Sequence, residues 1–105
     1  MTDKIVVLST CASAEEAEKI ARALVERRLA ACVNVLPPAR SLYRWKGSVE
    51  DAAEWLLLIK SKRQRFDQLS AALETLHSYE VPEIIALSVV DGSPAYLDWL
   101  EAEVE

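Results

Sequence analysis

The chain has 105 residues, a formal net charge of −5 at pH 7 and a composition that is 51% hydrophobic. This length predicts one domain, spanning residues 1–105, with a single core. The acidic balance disfavours nucleic acids and anionic membranes as partners, because both carry negative charge. No apolar run approaches the ~20 residues of a membrane-spanning helix. The N-terminus has no signal-peptide pattern and the two cysteines form no CxxC motif, so we expect a cytoplasmic protein with reduced thiols.

The first predicted elements are a buried strand and a helix. Lys4–Thr10 contains four consecutive apolar residues, which is typical of a central strand buried on both faces. Ser13 and Glu16 form the Ser-x-x-Glu pattern of a capping box, so a helix is predicted from about Ala14 to Leu29. Its apolar residues recur at three- and four-residue spacing, which favours packing on a sheet. The basic pair Arg27-Arg28 would suit the dipole of its last turn.

A long β-hairpin follows the helix. Ala31–Trp45 and Val49–Ser61 carry β-forming residues, and Gly47 supplies the positive φ of a tight turn. Pro37-Pro38 interrupts the first arm, because proline cannot donate to a strand ladder. At about 3.3 Å per residue each arm reaches roughly 40 Å, whereas a domain of this length is about 30 Å across. The tip and outer edge should therefore extend beyond one globule, and another copy of the chain is their simplest protection.

The remaining predicted elements are a helix, a strand and a second helix. The helix starts around Arg63 to Arg65 and ends near His77, and the strand Ile84–Val90 should be buried. Ser93-Pro94 is a helix start, with serine as N-cap and proline at the first helical position. The short helix that follows should bury Tyr96, Leu97 and Leu100.

The predicted order is β-α-β-β-α-β followed by a helix. This is the α+β, ferredoxin-like pattern, in which two helices cover one face of an antiparallel four-stranded sheet. The other face would be bare, and we expect the C-terminal helix and another subunit to cover it.

Five strings and one single residue, spread over nearly the whole chain, form a specific set: Ala31-Cys32-Val33-Asn34, Ser41-Leu42-Tyr43-Arg44-Trp45-Lys46-Gly47, Glu54, Leu58-x-Lys60-Ser61, His77-Ser78-Tyr79-Glu80-Val81-Pro82-Glu83-Ile84-Ile85 and Gly92-x-x-x-Tyr96-Leu97-x-Trp99-Leu100. In these strings the chain resembles the CutA divalent-cation tolerance family. The resemblance implies a cytoplasmic homotrimer of ferredoxin-like subunits whose hairpins pair across subunits. It also implies a role in tolerance to copper and other divalent metals. The family trimer is similar to that of PII signalling proteins, which by analogy indicates ligand sensing.

Candidate ligand-binding residues are the aromatic and charged positions that look like the family's signature set: Tyr43, Trp45, Lys60, Tyr79, Glu83, Tyr96 and Trp99. One interpretation places them in a cleft between subunits, where this hairpin meets the Tyr79–Glu83 segment of a neighbour. Aromatic side chains with one lysine and one glutamate would suit a small polar or anionic ligand. The alternative is that they anchor the trimer interface, because Trp and Tyr dominate such patches.

Candidate metal ligands are Glu83, His77 and Cys11, for Cu²⁺ or another divalent cation. Copper-binding family members are credited with thiolate, imidazole and carboxylate ligands. Here the first strand closes on Ser9-Thr10 and the cysteine is displaced to Cys11. This departure argues against a copper site within one chain and leaves Glu83 as the best-preserved candidate. The alternative for His77 is a structural residue at a helix end.

The sequence contains none of the common catalytic motifs. HExxH and GxSxG are absent, and two glycines exclude a glycine-rich nucleotide loop. Cys32 has no recognisable base nearby in sequence, which favours a core thiol. We therefore expect a non-enzymatic metal-tolerance or sensing protein. The alternatives are a small enzyme with Glu83 or His77 as base, and a purely structural trimeric module.

Overall fold

The computed structural model describes residues 1–105 and contains five strands and three α-helices. The strands are β1 (Lys4–Cys11), β2 (Cys32–Val35), β3 (Ala39–Trp45), β4 (Ser48–Lys62) and β5 (Ile85–Ser88). The helices are α1 (Ala14–Glu26), α2 (Phe66–Leu76), which follows a 3-10 turn at Arg63–Arg65, and α3 (Pro94–Glu103). β2 and β3 are the two parts of the predicted first hairpin arm, and with these counted as one the order confirms the predicted βαββαβ pattern with an additional C-terminal helix. None of the helices combines the length and the apolar character that crossing a bilayer requires.

All strand pairs are antiparallel, and the sheet has the order β2-β4-β1-β5 with β3 paired to β4. The central pair runs from Lys4 opposite Lys62 to Cys11 opposite Trp55. Successive strand residues point to opposite faces, and the odd-numbered residues of both strands face α1 and α2. The core between these layers contains Ile5, Val7, Cys11, Ala17, Ile20, Leu24, Leu57, Ile59, Leu69 and Leu73. The fold is therefore α+β and ferredoxin-like, as predicted.

The start of α1 explains how the helix is tied to the segment after α2. The Ser13 hydroxyl accepts a hydrogen bond from the Glu16 amide at 3.1 Å, so serine is the N-cap as predicted. The Glu16 carboxylate does not complete the predicted capping box. It accepts a hydrogen bond from the Ser78 amide at 2.8 Å and so joins the N-terminus of α1 to the end of α2.

The C-terminal end of α1 differs from the prediction. The helix ends at Glu26, before the expected Leu29, and Arg28 adopts a left-handed φ of 58°. The guanidinium of Arg28 donates to the carbonyl oxygens of Ala102 at 2.6 Å and Glu103 at 3.2 Å. Arg28 therefore caps the last turn of α3 rather than stabilising the dipole of its own helix.

The β3–β4 hairpin extends well beyond the core. Its turn residues Lys46 and Gly47 have φ values of 49° and 85°, and two consecutive positive φ angles match the twist of a tight hairpin. Pro37 and Pro38 lie in the gap between β2 and β3, as predicted. Residues 48–54 of β4 pair only with β3, because β1 pairs with Trp55–Lys62. The molecule is accordingly elongated, with extents of 44 × 25 × 24 Å.

The face of the sheet opposite α1 and α2 is only partly covered. α3 lies at one end of it, where Glu101 accepts hydrogen bonds from Lys4 at 2.6 Å and from Lys62 at 2.9 Å. The rest of this open face carries apolar side chains that are half-buried or exposed: Val6, Leu8, Leu56, Leu58, Ile85 and Leu87.

Two burial predictions were wrong for the single chain. β5 was expected to be a buried strand, but it is an edge strand, and Ile85 and Leu87 are 50% and 51% exposed. In α3 only Leu100 is buried, whereas Tyr96 is exposed and Leu97 is intermediate. Both errors concern side chains of the open face or its margin, where apolar character does not say which surface covers them.

Candidate functional site

A groove of about 750 Å³ lies between the β3–β4 hairpin and the Tyr79–Glu83 segment of the same chain. Its aromatic walls are Tyr43 and Trp45 from β3 and Tyr79 from the segment that follows α2. The sequence predicted that these two segments meet, although it placed them on different subunits. The volume falls within the range of small-molecule sites.

Acidic side chains define the polar character of this groove. Glu54 from β4 and Glu80 and Glu83 from the segment after α2 contribute carboxylates, whereas no lysine, arginine or histidine lines the groove. The remaining polar contributions come from Thr10, Ser41 and Ser78. The lining is thus aromatic and acidic.

Glu54 and Tyr79 form the best-defined interaction at the base of the groove. The Tyr79 hydroxyl donates to Oε2 of Glu54 at 2.6 Å, and Glu54 is only 5% exposed. Burial, together with this hydrogen bond to a carboxylate, raises the pKa of Tyr79 well above its usual value. The phenol therefore stays protonated and keeps donating to Glu54. Oε1 of Glu54 receives no hydrogen bond from the protein and is not sealed from solvent.

Lys46 at the hairpin turn shows how a cation is held beside this groove. Its Nζ lies 5.5 Å from the centre of the Trp45 ring and 3.6 Å from Oε2 of Glu80. An ammonium above an indole face gains cation–π attraction. The same ammonium forms a solvent-exposed ion pair with Glu80.

Lys60, Tyr96 and Trp99, which the sequence assigned to the same cleft, lie outside the groove. Nζ of Lys60 donates to the side-chain oxygen of Asn34 on β2. The hydroxyl of Tyr96 is 3.9 Å from Sγ of Cys32, and the Tyr96 and Trp99 rings are 5.5 Å apart. The seven predicted positions therefore form two groups, with Tyr43, Trp45, Tyr79 and Glu83 in the groove and the other three beside β2. Cys32 is half-buried rather than a core thiol.

Of the predicted metal ligands, Cys11 and His77 come together but Glu83 does not join them. The third nearby donor is Glu16, and the three ligand atoms lie within 4.8 Å of one another. The two nitrogens of His77 already have partners. Nε2 lies 2.7 Å from the carbonyl oxygen of Thr10 and Nδ1 accepts from the Tyr79 amide at 3.0 Å. These partners assign the tautomer protonated on Nε2 and give His77 the structural role of joining β1 to the Tyr79 segment.

The Cys11 thiol is also poorly prepared for metal binding. Burial, with the nearby Glu16 and Glu54 carboxylates, raises the pKa of Cys11 to about 12. Copper binds thiolate rather than thiol. Nδ1 of His77 could bind an ion only if its hydrogen bond from the Tyr79 amide were broken. Both features disfavour copper at these three residues as they are arranged here.

Three acidic residues of these sites were not predicted as site residues from the sequence. Glu54 was noted among the residues that carry the family resemblance but was not assigned to a site, and Glu16 was interpreted as a helix cap. Glu80 stands in the string from His77 to Ile85 but was not named as a groove residue. Only strand register could have revealed that Glu54 belongs to the groove. Glu54 lies on the same face of β4 as Leu56, and Leu56 lies opposite Thr10, which lines the groove.

Comparison with known proteins gives a consistent result. Residues 5–103 match the family model described as CutA1 divalent ion tolerance protein. The divalent-cation tolerance protein CutA of Thermus thermophilus is 52% identical over 95 residues, which are 90% of this chain and 92% of that protein. The mouse protein CutA is 45% identical over 96 residues, 91% of this chain, but the match spans only 54% of the mouse protein.

Solved structures agree with the sequence matches. The crystal structure of CutA from Xylella fastidiosa has a TM-score of 0.96 and 43% identity, and the match covers 99% of this chain and 100% of that one. Matching proteins include one described as chloroplastic and one described as periplasmic. On the family match and the Thermus relative, the chain belongs to the CutA1 divalent ion tolerance protein family.

Proposed function

We propose that this protein is a non-enzymatic, cytoplasmic homotrimer that acts in the response to copper and other divalent ions by binding a ligand in its aromatic, acidic groove. The observation that carries this proposal is the groove itself, where the hairpin and the Tyr79–Glu83 segment enclose about 750 Å³. Any metal bound directly would be held weakly, through carboxylate oxygen atoms. Ligand binding in this groove would give the protein a sensing role, by analogy with the PII signalling proteins whose trimer the family trimer resembles.

A non-enzymatic role is supported by the chemistry of the groove residues. No histidine, cysteine or lysine lines the groove, so it lacks the serine–histidine, cysteine–histidine and serine–lysine pairs that many nucleophilic enzymes use. The remaining polar groups are hydroxyls and carboxylates, which suit binding. The family is also named for tolerance rather than for a reaction.

A homotrimer is supported by the open face of the sheet. Ile85 and Leu87 on β5 are each about half exposed, and Val6, Leu8 and Leu58 extend the same apolar surface. A contiguous apolar surface of this kind normally marks an interface. The hairpin also presents an outer β3 edge whose backbone groups are unpaired within one chain. A second copy would cover both features.

Calorimetric titration with Cu²⁺ tests the metal part of this proposal. We expect weak binding of Cu²⁺ to the wild-type protein. The binding should be reduced in Glu83→Ala and unchanged in Cys11→Ala, because Glu83 lines the groove and Cys11 does not. Tight binding that Cys11→Ala abolishes would assign the ion to the cysteine–histidine cluster and contradict the proposal. A parallel melting screen with small metabolites should find stabilising ligands, since a ligand at 100 times its Kd adds about 2.7 kcal/mol.

Light scattering tests the assembly. The expected mass is about three times the 11.7 kDa of one chain. Leu87→Asp should lower this mass, because it places a charge on the open face, whereas Val25→Asp on exposed α1 surface should not. A monomeric wild-type protein would refute the trimer.

A further inference from the structure

We infer that the groove selects an organic cation, a substituted ammonium, and rejects anionic metabolites. This inference rests on the proposed function that the groove is a ligand site, and it adds the charge and chemical class of the ligand. It also replaces the sequence-based expectation of a small polar or anionic ligand. That expectation depended on Lys60, which lies outside the groove and is engaged with Asn34.

The lining charges all have the same sign. Glu54, Glu80 and Glu83 contribute three carboxylates, and no side chain of opposite charge lines the cavity. A phosphate or carboxylate ligand would meet repulsion from Glu54 and Glu83, whereas Glu80 is ion-paired with Lys46 beside the groove. A ligand with a positive charge would meet attraction from each.

The aromatic walls add a second, independent preference for a cation. Tyr43, Trp45 and Tyr79 line the groove, and the faces of aromatic rings attract ammonium groups through their quadrupoles. Clusters of aromatic rings are the characteristic binding sites of alkylated ammonium ions. The protein already shows this mode of binding with its own side chain, because Nζ of Lys46 lies between the Trp45 ring and the Glu80 carboxylate.

Glu54 is the charged group that most needs a ligand. Its side chain is almost entirely buried, and Tyr79 satisfies only Oε2. Oε1 has no protein partner and is not sealed from solvent, and Glu54 is one of the residues that line the groove. A carboxylate taken out of water is stabilised when a cation or further donors replace the lost hydration. A bound ammonium would supply that positive charge at the free oxygen.

The spacing of the carboxylates favours an organic cation over a metal ion. Divalent ions need several oxygen atoms within about 2.6 Å of one centre. Among histidine, cysteine, aspartate and glutamate side chains, the three whose ligand atoms lie within 4.8 Å of one another are Cys11, Glu16 and His77. The carboxylate oxygen atoms of the three groove glutamates do not come this close to one another. They therefore suit a ligand larger than a metal ion, which can contact each carboxylate at a different point.

Choline provides a direct test, because an isostere exists in which carbon replaces the charged nitrogen. We expect choline to raise the melting temperature of the wild-type protein and to give a calorimetric Kd, in buffer containing a metal chelator. The uncharged isostere should bind at least about tenfold more weakly, and inorganic phosphate should not compete. Equal binding of choline and its isostere, or stronger binding of phosphate than of choline, would overturn the inference.

Two matched tryptophan variants locate the site. Trp45→Leu should weaken choline binding about fivefold, the equivalent of roughly 1 kcal/mol of cation–π attraction. Trp99→Leu removes a tryptophan of similar exposure outside the groove and should leave the Kd unchanged. A loss of affinity in Trp99→Leu but not in Trp45→Leu would place the cation beside β2 and contradict the assignment.

A variant of Lys46 tests whether this side chain competes with the ligand or has only a structural role. Its ammonium competes with the ligand for Trp45 and Glu80, so Lys46→Asn should strengthen choline binding about two- to fivefold. Asparagine tolerates the left-handed backbone of this position. An unchanged or weakened affinity would show that Lys46 does not compete for the groove and would count against the inferred binding mode.

The outcomes also separate this inference from the proposed function. Stabilisation by an anionic or neutral metabolite through groove residues, with no response to choline, would overturn the cation assignment and leave the ligand-binding function intact. If choline binds but none of the groove variants alters its affinity, the groove is neither the cation site nor the ligand site of the proposed function.

Discussion

The hydrogen bond between Tyr79 and Glu54 should contribute measurably to stability, because it is the only one the protein supplies to an almost fully buried carboxylate. Replacing Tyr79 with Phe removes the donor while retaining the ring. Hydrogen bonds to charged groups contribute about 1.5–3 kcal/mol, so we expect a loss of about 2 kcal/mol per chain. With an unfolding entropy of about 2.1 cal/mol/K per residue over 105 residues, this lowers Tm by about 9 °C.

Chemical denaturation at fixed protein concentration measures this loss, because concentration affects the stability of an oligomer. Tyr43→Phe is the matched control. Tyr43 lines the same groove, and its hydroxyl makes no hydrogen bond within the chain, so its loss should change stability by less than about 0.5 kcal/mol. The double variant Tyr79→Phe/Glu54→Leu should recover part of the loss, since removing both partners leaves no buried charge. Equal stabilities for Tyr79→Phe and Tyr43→Phe would refute the reasoning.

Three further predictions concern other parts of the chain. Hydrogen bonds from Lys4 and Lys62 lower the pKa of Glu101 below its ordinary value of 4.5. The stability that Glu101 provides is therefore present above pH 4.5 and is lost as the pH falls further. Denaturation curves of Glu101→Gln should show a weaker dependence of stability on acid pH. Gly47→Ala should destabilise by about 1 kcal/mol in the same assay through its left-handed backbone alone, because no atom lies within 4 Å of an added Cβ. Burial raises the pKa of Cys11 to about 12, so mass spectrometry should find this thiol unalkylated near neutral pH until urea unfolds the chain.

Local sequence signals account for most of the fold. Ser13 and Ser93 mark helix starts, Gly47 marks the hairpin turn and Pro37-Pro38 marks the break between β2 and β3. Each acts through the backbone of its own neighbourhood, so it can be interpreted without knowing the tertiary structure. Burial was less predictable, because the apolar residues of β5 identify a surface that becomes covered but not what covers it.

The candidate site was predicted in part for a similar reason. The Tyr79–Glu83 segment and the hairpin aromatics occur in recognisable strings, and the structure brings them together. Lys60 was grouped with them, although it lies six residues from Glu54 along β4, a separation of about 20 Å. Glu54 was recognised only as part of the family resemblance, and its polar neighbours gave no sign that it lines the groove. Distance along a strand and register, rather than residue type, decide which side chains share a groove.

The ribbon formed by β3 and residues 48–54 of β4 makes the reach of the hairpin independent of the core. Core residues of β4 begin at Leu57, and the ribbon pairs with no other strand in the chain. Because side chains alternate with a period of two, deleting two residues from each arm would preserve which face every remaining residue occupies. Such a deletion would move Trp45 toward the core by about 7 Å while leaving the helices and the central strands unchanged. The length of the ribbon can therefore change the depth of the groove while the packing of the helices and central strands stays the same.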